Sequence, residues 1–534
     1  MPVEQVAAMT VPAEVWARPA GGGQAAGGGH VTCGGPTAGG GQVVETDAAL
    51  LYLSGDRVLK RRRPVDPDDP GFHGRLSRLA ACRAEVRRNR PLAPGVYLGV
   101  ADVVDDSGAP RDHAVVMRRL PAGRQLAVLV RRGDRLEAPL RAIARAVAAF
   151  HAELGPSSRC ADGGGDGPEL TARRWDAVLA AAEPFRGTVL DTEVVGEIGR
   201  LARAYLAGRG GLLATRARDG WIRGGHGALR AEGIYCLDDG PRILGRLGGD
   251  GWHGDVLGDI ALLAVDLERL GVPEDAESLV REYRACVAGG HPRSLEHLHI
   301  AYQALVDAVA AAGAAVAGTA GPESARRAGE QARRLADISY RRLRRARVRL
   351  VLVGGLPGTG KSTLAGRLAA GDDGRVLIRS DLVRAKFTVD VPGSDNSYVW
   401  PLASETTART YTELLARARA GLERGDTVII DASWSDGRHR AAAARLARDT
   451  SSELIELRCV TSPEVAAARL ARRDAAERGV SPGEGLRATA DTAGTTSVVH
   501  RAMSAWAEPW PTARVIQTAV PEGEAFHAAE RCIV

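Results

Sequence analysis

Lysine is almost absent from this chain. It occurs only at Lys60, Lys361 and Lys386, and every other one of the 71 basic residues is arginine. A lysine that remains marks a place where a compact ammonium is wanted in preference to a planar guanidinium. Aromatic residues are also scarce, at 4% of the chain, so the cores are expected to be aliphatic and largely helical, with Ala, Leu and Val at the apolar positions. The seven cysteines lie far apart without CxxC spacing, which argues against a zinc site and against a disulfide framework. MPVEQVAAMTVPAE has no basic segment followed by an apolar core, as a secretory leader requires. The longest apolar stretch, AVAAAGAAVAG at 308–318, reads as too short and too weakly apolar to cross a bilayer. The cytosol is the expected location, and no membrane partner is expected.

Charge of one sign is not concentrated either. The 71 basic residues face 65 acidic ones, giving a net charge of +6 and a pI near 9.1, but the two signs alternate along the chain. RRLRRARVR at 341–349 is the densest basic run. A nucleic-acid footprint would be a stripe of cations with interleaved aromatics, and the pattern gives little support for one.

At 534 residues, with 45% hydrophobic and 25% charged residues, the chain is long enough for about three globular domains. Residues 1–44 include the glycine-rich PAGGGQAAGGGHVTCGGPTAGGGQ, which has too little apolar surface to order itself and reads as a disordered tail. From 45 to about 320 the pattern runs strand, turn at Ser54-Gly55-Asp56, strand, a helix over 74–91, two further strands, and then long helical periodicity. A polar, alanine-rich helix over 321–346 links this region to 347–534. There, strands at 348–353, 375–379, 427–431, 453–460 and 513–517 alternate with helices, the signature of a doubly wound parallel sheet. The fold class is therefore mixed: α+β for the first domain and α/β for the second.

The segment RVRLVLVGGLPGTGKSTLAGRLAA places Gly355, Gly358, Gly360, Lys361, Ser362 and Thr363 between a hydrophobic strand and an amphipathic helix. Glycines at this spacing let backbone N–H groups close around phosphate, at the positive end of the following helix. Lys361 is expected to reach the β- and γ-phosphates of ATP, and Ser362 to hold Mg2+. TVIIDASW ends a strand on Asp431, the candidate second support for that metal. The next residue is Ala432, without the glutamate that polarises water in motor ATPases. RVLIRSDLVRAKF puts Asp381 and Arg384 at the next strand end, as a proton acceptor for a substrate hydroxyl and an anchor for substrate or phosphate. Helix capping by Ser380 or Asp381 is the competing reading. On the helix SPEVAAARLARRDAAERG, Arg469, Arg472 and Arg473 either neutralise the nucleotide or form a solvated face.

Taken together, the phosphate loop, SDLVRAK, DASW, the Arg438/Arg440 pair and the arginine-rich helix resemble the small-molecule kinase branch of P-loop proteins. That branch includes gluconate-kinase-like, chloramphenicol-phosphotransferase-like and polynucleotide-kinase-like domains. Family lids often continue into a Ser-Asp-Ala turn, where this chain has Ser481-Pro482-Gly483. The resemblance implies an ATP- and Mg2+-dependent phosphotransferase acting on a small hydroxylated molecule. An ATP-binding switch and a polynucleotide 5′-hydroxyl kinase are the alternatives.

GDRVLKRRRPV, RAEVRRNRPLAPGVYLGV, HGALRAEGIYCL and GDVLGDIALLAVDLERLG occur in the order of the aminoglycoside-phosphotransferase-like, protein-kinase-like bilobal fold that such a chain resembles. The resemblance pairs Lys60 with Glu85 at a nucleotide's phosphates. It also places the catalytic Asp at Ala228, the metal-binding Asn at Gly233 and the second metal Asp at Gly245. A methyl group or a hydrogen neither accepts a proton nor holds Mg2+. The first domain is expected to lack phosphotransfer, to bind a ligand or contact the second domain, and to regulate it. His226 is expected as a structural hydrogen-bonding residue, with Asp255 and Asp259 bracing backbone.

Overall fold

The computed structural model describes residues 10–12, 32–36, 42–45, 49–62, 74–104, 109–154, 167–245, 253–287, 289–319, 321–371, 374–388, 404–477, 504 and 506–533. Ser481-Pro482-Gly483 and most of the glycine-rich segment lie outside these residues. Within the segment expected to be a tail, Thr10–Pro12, Thr32–Pro36 and Gln42–Glu45 are strands.

The chain divides into two compact units. The first comprises Met1–Gly199, Thr215–His291 and Leu298–Arg342; the second comprises Arg200–Ala214, Pro292–His297 and Leu343–Val534. The helix read as a linker, Pro322–Ala346, therefore belongs to the first unit as far as Arg342.

In the first unit the described strands form a seven-stranded sheet in the order Thr10–Pro12, Tyr97–Val104, Pro110–Arg118, Arg57–Arg62, Ala49–Ser54, Gln42–Glu45, Thr32–Pro36. All pairings are antiparallel except that of Thr10–Pro12 with Tyr97–Val104. The run HAVVMR follows the two-residue period of a strand. Val115 and Met117 pack with Cys82 and Val86 of helix Arg75–Asn89, while Ala114 and Val116 pack with Tyr52 and Leu59 on the opposite face. This pairing holds the Lys60 strand against the helix that carries Glu85.

The helical part of this unit is organised around Leu257–Arg269. Its sequence LGDIALLAVDLER is apolar around most of its circumference, and residues 257–267 are all buried, as expected of a central helix. Asp259 and Asp266, seven residues apart, share one face of that helix. Both turn toward the loop 226–233. Helix Arg293–Ala317 contains the apolar stretch at 308–318. The whole helix, though not that stretch by itself, is long and apolar enough to cross a membrane by length and composition, yet Leu298, Ala301, Leu305, Ala308 and Ala312 on it are buried within the protein.

In the second unit a five-stranded sheet runs in the order Arg375–Arg379, Thr427–Asp431, Arg349–Gly354, Glu453–Val460, Arg514–Gln517, with every pair parallel. The central strand, RLVLVG, is buried along its whole length, as a parallel strand covered on both faces should be. The chain winds one way from this strand and later returns past it, so a crevice opens at the carboxyl ends of the strands. Register brings Val353, Asp431 and Arg379 side by side at that edge. Within the same unit Arg209, almost fully buried, donates through Nη1 to the Thr450 carbonyl at 2.5 Å, at the end of helix Gly437–Asp449.

Asp259 accepts from the backbone N–H groups of His226 and Gly227 and meets His151 Nε2, so its loss leaves these groups without their partner. Asp259→Ala should destabilise the protein by about 3–5 kcal/mol. Denaturant melts of the full chain check this, and a change below about 1 kcal/mol would contradict the bracing role.

Candidate functional site

The phosphate loop spans the turn from strand Arg349–Gly354 to helix Lys361–Ala370. Gly358 and Gly360 adopt φ of 80° and 79°, the left-handed region that side chains disfavour. A Cβ at 358 would also lie 2.6 Å from the Ala466 carbonyl. The loop is braced from outside. Thr359 Oγ1 donates to the Leu356 carbonyl at 2.7 Å, and Thr518 Oγ1 to the Thr359 carbonyl at 2.6 Å. Arg469 Nη2 donates to the Thr518 carbonyl at 2.5 Å, and its Nη1 lies 3.5 Å from the Gly358 carbonyl. Arg472 and Arg473 are exposed on the same helix; it is Arg469 that reaches the loop.

At the end of strand Thr427–Asp431, Asp431 is 3% exposed. The Ser362 hydroxyl hydrogen-bonds to it, yet Oδ1 has no hydrogen-bond partner among the described residues. Burial raises the Asp431 carboxyl above its ordinary value, against the Ser362 hydrogen bond and the Lys361 charge; Asp381 adds to the rise and Arg379 offsets it. An unpartnered buried carboxylate oxygen is costly unless a cation or donor is meant to meet it. The arrangement fits Mg2+, a hard cation that takes oxygen ligands. Among the described residues no cluster of three or more His, Cys, Asp or Glu side chains suits a metal. A phosphate-loop Mg2+ needs fewer, because phosphates and water complete its octahedron.

On the acceptor side, Asp381 lies in the first turn of helix Ser380–Thr388. It forms a two-pronged ion pair with Arg379, at 2.5 and 3.2 Å, and accepts from the Leu382 N–H at 2.9 Å. Burial pushes the Asp381 carboxyl up, but the Arg379 hydrogen bonds and charge and the Leu382 N–H outweigh it, leaving the group below the ordinary carboxylate range. Arg384, one turn on, has a buried Nε without a partner among the described residues, and its charge acts on Tyr411.

Sequence reasoning missed Tyr411 and Arg379. Tyr411 is buried in helix Ser404–Glu423, where no motif marks it. Its hydroxyl lies 3.2 Å from Ser433 Oγ and accepts the Trp434 N–H at 3.1 Å. Trp434, fully buried, holds a left-handed φ of 53°, strained for a tryptophan. Arg440 stabilises this turn by donating to the Trp434 carbonyl at 2.6 Å and the Pro509 carbonyl at 2.8 Å. The Arg438/Arg440 pair thus separates: Arg440 is buried, while Arg438 is exposed and pairs with Asp436 at 2.7 Å.

In the first unit, Lys60 Nζ donates to Glu85 Oε1 at 2.9 Å, and the Glu85 side chain is wholly buried. Asp259 is enclosed by donors: Gly227 N–H to Oδ1 at 2.7 Å, His226 N–H to Oδ2 at 2.7 Å, and His151 Nε2 at 3.0 Å from Oδ2. Burial raises its carboxyl, but these partners bring it below the ordinary range. Asp266 Oδ2 accepts the Ala231 N–H at 2.8 Å, and Asp255 is gripped by Arg216. His226 corrects the expectation. Its backbone N–H is hydrogen-bonded to Asp259, but neither ring nitrogen has a partner among the described residues, and burial lowers its pKa and favours the neutral ring. Ala228 lines a cleft of about 430 Å³ with Tyr302, Gln303 and the Arg230–Asp307 pair.

Comparison with known proteins matches both units. An AAA-domain family model covers residues 350–493. The uncharacterized protein Rv2004c of Mycobacterium tuberculosis is 35% identical over 495 residues, spanning 91% of this chain and 94% of its own. A gluconokinase from Sinorhizobium meliloti is 17% identical, covering 34% of this chain and 88% of its own, with a TM-score of 0.24. The GDP and kanamycin complex of APH(2'')-IIia is 13% identical, covering 54% of this chain and 90% of its own, with a TM-score of 0.34. The matched AAA-domain region takes in the phosphate loop and the strands Arg375–Arg379, Thr427–Asp431 and Glu453–Val460 of the second unit.

Asp431→Asn should weaken Mg-ATP binding at least tenfold, about 1.4 kcal/mol, while leaving metal-free ATP binding little changed. Calorimetric titration with and without EDTA reads this directly; equal losses in both conditions would contradict the metal role.

Proposed function

We propose, from the premise that the chain belongs to the same family as mycobacterial Rv2004c, that its second unit transfers phosphate from ATP to a small hydroxylated acceptor. The observation that carries this reading is the unpartnered Oδ1 of Asp431, buried beside Ser362 and in the field of Lys361. A P-loop kinase-like domain supports ATP-dependent phosphotransfer in general; the acceptor and the roles of individual residues are our reading.

Backbone N–H groups of 355–360 and the Lys361 ammonium grip the β- and γ-phosphates. Ser362 Oγ and Asp431 would hold Mg2+, which supplies charge neutralisation when bound. Asp381, ionised at neutral pH, accepts the acceptor's hydroxyl proton. The acceptor oxygen forms a bond to the γ-phosphorus as the bond to the ADP oxygen breaks. Arg379 must share or release Asp381 as the hydroxyl arrives, and Arg384, whose buried Nε has no partner among the described residues, would have to turn toward the site to anchor an acceptor oxygen. Ala432, in place of a glutamate, leaves no side chain there to activate water. ATP as donor suits the cytosol.

The first unit, on this reading, transfers no phosphate and regulates or presents substrate. Positions 228, 233 and 245 offer a methyl group and two hydrogens where the reaction needs a base and metal ligands.

The test is labelled ATP with sugars, nucleosides, aminoglycosides and short oligonucleotides, using the full chain and Lys361→Ala. Phosphate is expected to reach a small acceptor only with Lys361 intact. Transfer that survives Lys361→Ala would overturn the assignment to the second unit, and transfer confined to oligonucleotides would overturn the small acceptor.

Asp381→Asn should lower turnover at least 100-fold with ATP affinity unchanged; a nucleotide-binding switch would tolerate it. With Asp381 held below the ordinary carboxylate range, activity should stay level from neutral pH down to about pH 5. Arg379→Gln should move that acid limit upward, and an unmoved limit would separate Arg379 from Asp381.

A further inference from the structure

The metal site that the N-terminal fold implies does not fit the residues present. Gly245 lies outside the left-handed region, so its backbone would accept a side chain. Space is what forbids one. A Cβ built at 245 would overlap Asn89 Oδ1 and Cγ and lie 2.8 Å from Nδ2. Asn89 is 3% exposed and is fixed by donating through Nδ2 to the Glu85 carbonyl at 2.8 Å, on the helix that carries Glu85 itself. At Gly233, a Cβ would meet the Leu244 carbonyl at 3.2 Å, tighter than ordinary contact. The Gly245 N–H points to Tyr97 Oη at 3.3 Å. By contrast, Ala228 opens on the cleft described above. The acceptor side has kept its room, while the metal side has been filled.

The Lys60–Glu85 pair survives beside this filling, with 14% of the Lys60 side chain exposed. A bare polyphosphate approaching a kinase metal site would be repelled by the carboxylates that hold the cations. Here positions 228, 233 and 245 carry no charge, and a neutral carboxamide stands at 245. Glu85 is then the carboxylate at Lys60, and positions 228, 233 and 245 add none to oppose a phosphate ligand.

We propose that Asn89 replaces the metal site of the first unit, and that Lys60 serves there as a binding site for a phosphate-bearing ligand taken without a divalent cation. This rests on the reading that the unit transfers no phosphate. Failure of that reading would appear as turnover that survives Lys361→Ala; failure of this inference would appear in binding and melting alone.

The test uses the full chain carrying Lys361→Ala, with ATP as the probe. Titration calorimetry should show binding whose affinity changes less than about threefold between Mg2+ and EDTA, and which Lys60→Ala weakens at least tenfold. No binding, a strict requirement for Mg2+, or indifference to Lys60 would each overturn the site. In parallel, thermal melts compare Gly245→Ala, Asn89→Gly and their combination. Gly245→Ala alone should lower the Tm, and adding Asn89→Gly should recover part of the loss. Additive losses would overturn the packing of Asn89 against Gly245.

Discussion

A buried carboxylate oxygen must meet a donor or a cation, and the two units satisfy that constraint in opposite ways. Asp431 keeps Oδ1 open beside Ser362, at the edge where a phosphate loop delivers N–H groups and Lys361. Asp259 has both oxygens engaged by His226, Gly227 and His151. Each aspartate is nearly inaccessible to solvent. On the function proposed here, the first is left ready for a metal, whereas the second holds a loop together. The division of labour we propose along the chain follows from that difference.

The closed arrangement of the first unit is built into its packing as well as its composition. Asp259 and Asp266 pin the loop backbone at Gly227 and Ala231, and Arg230 is locked to Asp307 by two 2.7 Å contacts. Asn89 fills the volume beside Gly245. A chain that had lost its reactive residues alone would show empty space where they stood. Among the described residues, Ala228 opens on a cleft on the acceptor side, while Asn89 fills the volume beside Gly245 on the side where a cation would lie.

Much of the second unit was legible because its chemistry is local in sequence. The phosphate loop is a contiguous segment, and the five strands were readable from runs of Val, Ile and Leu bounded by turns. Asp431 was found as the last residue of such a run. Lys60 and Glu85 lie 25 residues apart on a strand and the helix that follows it, a separation the resemblance supplied. Tyr411, Arg379 and Asn89 were not legible. Each reaches its place through packing: Tyr411 from an unmarked helix, Arg379 through strand register with Asp431, and Asn89 through a void left by a glycine 156 positions away. Arginine's abundance hid which members of the family-like pairs are buried, so Arg440 and Arg469 could not be told from Arg438, Arg472 and Arg473. The compact units also cut across the chain, taking Arg200–Ala214 and Pro292–His297 into the second unit, and no composition shift marks those segments.

The most direct measurement is a crystal structure of the full chain with a non-hydrolysable ATP analogue and Mn2+, with the metal located by its anomalous scattering. The account predicts a manganese peak against Ser362 and Asp431 and none in the first unit. A peak beside Gly245 or Ala228, or an Asp431 carboxylate that meets no cation when nucleotide is bound, would contradict it.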